Sequence, residues 1–148
     1  MQGDEPLIDT KNIDKVALCL KKNISKKFEV ATGYSKINKY SKASTHSSTV
    51  FLIKSPKNQV WFFHRGISKI LENKMEPLKH IGLYAYTKAA LKRFHKYKRS
   101  RLEISESLEQ MRFIENGEKI ICTQLIDSKF AVDYPSDIKK IVNFFKKK

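Results

Sequence analysis

The side chains best suited to chemistry fall in four short polar stretches of the chain. The first, Met1–Pro6, is a carboxylate-bearing turn, and the last spans Val132–Asp137. Between them, His80–Tyr86 and Glu106–Arg112 bring imidazole, phenol, carboxylate and amide groups close together in sequence. An α/β enzyme presents such turns at the carboxyl ends of core strands, where ligands bind. The strand expected before the first turn would lie upstream of Met1, so the pattern is typical of the second half of an enzyme.

Strands that alternate with helices must position these stretches. Hydrophobic periodicity predicts strands at 28–32, 49–53, 60–63, 80–86 and 119–125, and helices at 8–22, from 87, from 105 and from 135. Asp9 or Thr10 is placed to cap the first helix, and Asn116-Gly117 to end the third. The Ser/Thr/Lys-rich segment 35–48 is predicted to be a mobile loop. The alternation indicates an α/β sheet.

Composition sets the class of protein. A chain of 148 residues fits a single domain, and 41% hydrophobic residues is ordinary for a globular protein. The net charge of +15 would attract anions, but the lysines are spread along the whole chain, which favours simple lysine enrichment of the surface. Two isolated cysteines, Cys19 and Cys122, indicate small core residues in a reducing compartment. With no long apolar run and a polar start, we expect a cytoplasmic protein with no membrane partner.

Each candidate side chain also has a purely structural explanation. Asp4 can form a turn, and Asp133 can cap the final helix. His80 and Tyr84 can pack on a strand face with their polar tips satisfied. The glutamate–glutamine pair at 109–110 can belong to a solvated helix face. On these residues alone the structural explanation is favoured for the two aspartates.

The order of the motifs changes that balance. QGDEPLI precedes a helix, a VAT strand, a hairpin ending in an aromatic-x-Arg, KHIGLYAY, LExxESLEQMRxxENG and VDYPSD. This succession resembles the 3-deoxy-manno-octulosonate (Kdo) cytidylyltransferases, also called CMP-Kdo synthetases, over essentially all 148 residues. The individual motifs are short, but four of them in register make a specific signal.

The resemblance implies a fold and a reaction. The fold class is α/β, a partial Rossmann-like nucleotidyltransferase (nucleotide-diphospho-sugar transferase) fold with a mixed sheet flanked by helices and its first strands missing. Residues 1–148 would be a single domain, the C-terminal portion of a cytidylyltransferase. The reaction joins the anomeric hydroxyl of Kdo to the α-phosphate of CTP and releases pyrophosphate, for lipopolysaccharide biosynthesis. Mg²⁺ is the expected cofactor, because phosphoryl-type transfer needs positioning and charge neutralisation.

The resemblance also assigns roles to individual residues. Asp4 and Asp133 match the metal-site aspartates, and Arg65 matches an arginine that can hold the sugar carboxylate through two parallel hydrogen bonds. The positions around the sugar are matched by Gln2, His80, Tyr84, Glu109 and Gln110. The match at Arg65 is looser, since His64 replaces the usual serine and is interpreted as a tolerated substitution.

One part of the family pattern has no counterpart in the chain. The N-terminal Ala-Arg, Ser-x-Arg and Gly-Lys segment, which would hold CTP, is absent from the 148 residues. We therefore expect a chain that is inactive alone, with a long unpaired sheet edge. CTP and Kdo are the expected small-molecule partners, and a homodimer or a complementing N-terminal chain stays open. The alternatives are a small basic nucleic-acid-binding protein, although no specific nucleic-acid motif is present, and a non-catalytic remnant that pairs with an intact relative.

Overall fold

The computed structural model describes residues 8–37, 48–66 and 76–127, together with residues 138, 139, 142, 143 and 146, which are helical. Gln2, Asp4, Asp133 and most of the loop predicted at 35–48 lie outside these residues. The helices are α1 (Thr10–Asn23), α2 (Lys88–Phe94), α3 (Arg101–Glu106) and α4 (Met111–Glu115), and a short 3-10 turn spans Ile24–Lys26. The strands are β1 (Val30–Lys36), β2 (Val50–Lys54), β3 (Gln59–Arg65), β4 (Leu78–Tyr86) and β5 (Ile120–Gln124).

The described strands form one mixed sheet. β1 pairs in parallel with β5 and antiparallel with β4, while β2 and β3 form the predicted hairpin. Short contacts of β2 with β4 and of β3 with β5 close the order β1-β4-β2-β3-β5 on itself. Because β2 meets β4 only at Phe51 and Lys79, the described partner of the stretch 80–86 is β1 alone. Among the described residues the strand order is nevertheless closed, so the long unpaired edge expected from the sequence is not confirmed.

Helix α1 covers one face of the sheet. The Asp9 side chain accepts a hydrogen bond from the Lys11 N–H (2.9 Å), so the predicted cap is confirmed. Val16 and Leu20 are buried against a cluster from β1, β4 and β5 that includes Ile81. Since successive strand residues point to opposite faces, the neighbours in sequence of these core residues face the other side.

The second face of the sheet carries the larger core. Val30, Phe63 and Ile120 from three strands pack there with Met111 and Phe113 of α4, and all five side chains are fully buried. Burying such side chains stabilises the fold by roughly 1.5–3 kcal/mol each before entropy is counted. Helix α4 is thereby fixed beside β3 and β4.

The prediction of one helix beginning at Ser105 is wrong. The structure has two short helices in this region, and the first is capped by Ser100, whose hydroxyl accepts from the Glu103 N–H (3.1 Å) while Glu103 accepts from the Ser100 N–H (3.2 Å). The chain then adopts the left-handed conformation at Ser107 (φ 53°), which ends α3. Gly117 follows α4 with φ 76°, so the predicted helix end there is confirmed.

The first strand differs in its bounds from the prediction. The strand predicted at 28–32 begins two residues later and extends to Lys36, because its pairing with β4 continues that far.

Both cysteines are free; Cys122 is buried and Cys19 is half-buried, as core residues would be. Burial raises the pKa of Cys122 to about 12. Among the described residues, none of the helices has the length and apolarity needed to cross a bilayer.

Candidate active site

One face of β4 presents a row of aromatic and imidazole rings. The ring centroids of His80 and Tyr84 are 5.4 Å apart, and Tyr84 stacks on Tyr86 at 5.5 Å. The row continues to Phe113 of α4, 5.7 Å from Tyr86, and to Phe63 of β3, 5.0 Å from His80. Strands β3 and β4 and helix α4 therefore share one aromatic wall.

A β-bulge brings His80 and Tyr84 together. Thr32 of β1 pairs with Tyr84, but the next residue of β1 pairs with Ile81, so residues 82–83 of β4 are the bulge. Four residues of a regular strand span about 13 Å, well beyond the 5.4 Å between these two rings. The Thr32 hydroxyl donates to the carbonyl of Leu83 (3.0 Å), which satisfies a backbone group of the bulge. Bulges commonly re-aim side chains next to active sites.

Burial controls the charge of this wall. Burial lowers the pKa of His80 to about 3, so its ring is neutral at physiological pH. Burial also raises the pKa of Tyr84 well above its usual value, and the nearby Tyr86 hydroxyl and Glu109 carboxylate raise it further. The buried Tyr84 hydroxyl makes no hydrogen bond of standard geometry within the described part of the chain, although the nearby Thr32 side chain opposes the rise of its pKa. The wall thus offers neutral hydrogen-bonding groups to a polar ligand.

Arg65 ties the end of β3 to the segment between α3 and α4. Its guanidinium donates from Nε to the carbonyl of Glu106 (3.0 Å), from Nη2 to that of Ser107 (3.1 Å) and from Nη1 to that of Ser48 (3.1 Å). The Arg65 N–H donates to the Glu106 carboxylate (3.2 Å). An arginine has five N–H donors, so two remain that bond to no described residue.

The segment that Arg65 holds also carries the glutamate–glutamine pair. Glu109 is exposed, whereas Gln110 is 4% exposed and precedes the first turn of α4. The chain leaves the course of α3 at Ser107, and the Glu109 carboxylate lies near enough to the wall to raise the pKa of Tyr86 as well as that of Tyr84.

The structure therefore brings five of the predicted site residues into one region. His80 and Tyr84 are in ring contact, Glu109 acts on Tyr84, Gln110 adjoins Glu109, and Arg65 binds the two residues at 106–107. Gln2, Asp4 and Asp133, the other three, lie outside the described residues. In the described part of the chain, no group of three or more His, Cys, Asp or Glu side chains could hold a metal ion.

Two residues of this region were not predicted from the sequence. Thr32 lies beside His80, with Oγ1 and Nε2 3.0 Å apart, and Tyr86 extends the aromatic wall. The period of two along β4 places Tyr86 on the same face as Tyr84, so that residue had a signal in the sequence. A hydroxyl at Thr32, within the apolar start of β1, is a weaker sequence signal for a site residue.

His64, the residue that replaces the family serine, has a packing role. Its ring stacks on Phe51 with centroids 5.7 Å apart, and its Nε2 is buried with no partner among the described residues. Burial lowers the pKa of His64. These contacts support the interpretation of a tolerated substitution.

Comparisons with known proteins point to one family. Residues 1–120 match the family model described as Cytidylyltransferase. The chain is 34% identical over 147 residues to the 3-deoxy-manno-octulosonate cytidylyltransferase of Rickettsia bellii and 31% identical over 158 residues to that of Parabacteroides distasonis. A solved structure of a CMP:2-keto-3-deoxy-manno-octonic acid synthetase complexed with CTP has the same fold, with a TM-score of 0.87 and 26% identity.

The matches differ in how much of each protein they cover. They include 99% of this chain for the Rickettsia bellii relative and the solved structure, and 97% for the Parabacteroides distasonis relative. The chain spans 57% and 61% of these two relatives and 60% of the solved chain. The mixed sheet with flanking helices is thus part of a nucleotidyltransferase fold.

Proposed function

The chain belongs to the cytidylyltransferase family, and we propose that it is the sugar-binding part of a CMP-Kdo synthetase. That reaction joins Kdo to the CMP moiety of CTP and releases pyrophosphate, a step of lipopolysaccharide biosynthesis. The observation that carries the proposal is the neutral polar wall of β4 beside an arginine, in a chain related along 99% of its length to a 3-deoxy-manno-octulosonate cytidylyltransferase.

Arg65 is the group proposed to bind the carboxylate of Kdo. Its three hydrogen bonds to backbone carbonyls fix the plane of the guanidinium. Its other two N–H donors bond to no described residue and can bind a ligand. A planar guanidinium binds a carboxylate through two parallel hydrogen bonds, which a lysine ammonium cannot do. An arginine held in this way would orient the sugar acid at little cost in side-chain entropy.

The hydroxyl groups of the sugar are assigned to the wall and to the neighbouring turn. His80 and Tyr84 supply neutral, buried polar groups, and Gln110 supplies an amide that both donates and accepts. Glu109 accepts only, and Gln2 joins the set through the resemblance. A site whose buried polar groups need partners rejects analogues that lack the matching hydroxyl.

The metal assignment rests on the resemblance alone. Asp4 and Asp133 are the two carboxylates proposed to bind Mg²⁺, which prefers oxygen ligands and usually takes one or two carboxylates beside substrate phosphates. When bound, the ion would neutralise charge on the phosphates of CTP.

The direct test of the proposed function is a chimera. In the Rickettsia bellii enzyme, the region matched by this chain is replaced with the 148 residues, so that one polypeptide carries a complete cytidylyltransferase. Pyrophosphate release is then measured with CTP and Mg²⁺, with and without Kdo. We expect release that depends on Kdo, and the same chimera carrying Asp4→Asn is expected to lose it.

The fold of each chimera is checked by circular dichroism and thermal unfolding. A chimera that folds cooperatively but releases no pyrophosphate in the presence of Kdo would contradict the proposed function. Equal release with an uncharged hexose would contradict the assignment of a sugar acid.

A further inference from the structure

The hydroxyl of Thr32 lies close to one ring nitrogen and two backbone carbonyls of β4. Its Oγ1 lies 3.0 Å from the Nε2 atom of His80 and 3.0 Å from the carbonyl oxygen of Leu83, with the Ile81 carbonyl at 3.5 Å. A carbonyl oxygen only accepts hydrogen bonds, and a hydroxyl has one proton to donate. Two oxygen atoms 3.0 Å apart repel unless a proton lies between them, so the Thr32 proton is directed to Leu83 and Oγ1 accepts from the Nε2–H of His80.

The neutral charge state of His80 determines which of its ring nitrogens is the acceptor. Nε2 carries a proton because it donates to Thr32, and the buried ring is neutral, with its pKa lowered to about 3. A neutral imidazole has one N–H and one acceptor nitrogen. The remaining nitrogen, Nδ1, is therefore the acceptor.

We infer that Thr32 is a positioning residue that holds His80 as the Nε2–H tautomer, so that Nδ1 accepts a hydrogen bond from a hydroxyl of the substrate. This inference rests on the proposed function for the identity of that substrate as a sugar acid. An acceptor nitrogen repels a carboxylate, so the substrate carboxylate is directed away from His80 and toward Arg65. The tautomer thus selects the orientation of the sugar.

The bulge of β4 makes this arrangement. Residues 82–83 have no partner in the β1–β4 register, so the Leu83 carbonyl is available to the Thr32 hydroxyl. The proton on an imidazole is set by the bond its ring nitrogens make with neighbouring groups. Here the hydrogen bond from Thr32 to the Leu83 carbonyl decides which ring nitrogen of His80 carries the proton.

The tautomer is measured in the full 148-residue chain without ligand, by long-range ¹H–¹⁵N correlation of the histidine rings near pH 7. His80→Gln identifies the His80 signals. We expect a protonated, pyrrole-type nitrogen at Nε2 and an unprotonated, pyridine-type nitrogen at Nδ1. A proton on Nδ1, or on both nitrogens, would overturn the inference.

Two substitutions then test the role of Thr32. Thr32→Ser keeps the hydroxyl and is expected to keep both the nitrogen pattern and the affinity for Kdo. Thr32→Val has nearly the same shape but no hydroxyl, so His80 should exchange between tautomers and bind Kdo about tenfold more weakly. Thermal unfolding of each variant separates this loss from misfolding, and the ligand-free spectrum of the native chain decides the tautomer even if Thr32→Val does not fold.

The outcomes separate this inference from the proposed function. Thr32→Val that binds Kdo as tightly as the native chain would overturn the positioning role. A native chain with the expected nitrogen pattern and no saturable binding of Kdo would contradict the proposed function, while the tautomer assignment itself would stand.

Discussion

The guanidinium of Arg65 combines a structural and a proposed binding role in one residue. Three of its N–H donors bind backbone carbonyls from two distant segments of the chain, at position 48 and at positions 106 and 107. These bonds fix the turn that carries Glu109 and Gln110. The same residue therefore orders this turn and, under the proposed function, has two donors without a described partner to bind a ligand.

Arg65→Lys should weaken Kdo binding by about 10- to 100-fold, because a lysine keeps the charge but loses the paired, planar donors. Isothermal titration of the chain with Kdo measures the change. The matched control is Arg101→Lys, on the exposed first position of α3, which should leave the affinity unchanged. Equal affinities for the two variants would contradict the carboxylate role of Arg65.

His80 should make the stability of the fold depend on pH. Its pKa falls from an ordinary 6.5 to about 3 in the folded chain, so below pH 6.5 the unfolded state binds the extra proton. Stability contributed by the neutral ring is complete above pH 6.5 and is lost as the pH falls toward 3, by about 1.4 kcal/mol per unit at most. Urea unfolding of His80→Gln should show a shallower decline between pH 6.5 and 4.5 than the native chain. Identical slopes would show that the fold does not lower the pKa of His80.

Some of these residues could be predicted from the sequence and others could not. The cap at Asp9 depends on neighbours two residues away, and so it was predictable. The contact of Thr32 with His80 joins residues 48 positions apart and depends on a bulge, which no local pattern encodes. The family resemblance singled out His80, whereas the protonation of its ring depends on long-range packing.

At the scale of elements, the region 100–117 shows how capping chemistry decides between two starting points for a helix. Both Ser100 and Ser105 precede apolar positions, but only Ser100 has a glutamate three residues later, at Glu103. That glutamate is 4% exposed and also accepts from the Arg112 Nε (2.6 Å), so it links α3 to α4. The capping signal at Ser100 was present in the sequence, but the apolar spacing after Ser105 favoured the wrong start.

Ser100→Ala should destabilise the fold by about 1 kcal/mol, because it removes the acceptor for the Glu103 N–H. Ser105→Ala, on an exposed position inside α3, should change the free energy of unfolding by less than about 0.5 kcal/mol. Chemical denaturation of both variants gives the comparison. A larger loss for Ser105→Ala would favour the helix start predicted from the sequence.

At the scale of the whole molecule, the order of strands and helices was predictable because each element has its own periodicity. The closure of the sheet through the short contact of β3 with β5 was not, since it joins residues such as Val60 and Ile120 across half the chain. The resemblance supplied the family and the residues of the candidate site. The bulge and the division of one predicted helix into two required the structure.

The charge of +15 is the other property of the whole molecule. Because the lysines are dispersed, we expect only weak, sequence-independent binding to duplex DNA, with a Kd above about 1 μM at physiological salt and a steep loss of affinity as salt rises. Fluorescence anisotropy with two unrelated duplexes measures this. Sub-micromolar affinity with a preference for one duplex would favour the alternative of a nucleic-acid-binding protein.

Under the proposed function, one binding site for a sugar acid is formed by Arg65, His80, Tyr84, Glu109 and Gln110. The most direct measurement is a titration of the isotope-labelled chain with Kdo, followed by amide and side-chain NMR. We expect saturable shifts at these residues together, with much smaller shifts on the opposite face of the sheet around Val16 and Leu20 of α1. Saturable shifts confined to the α1 face, or none at His80 and Tyr84, would contradict it.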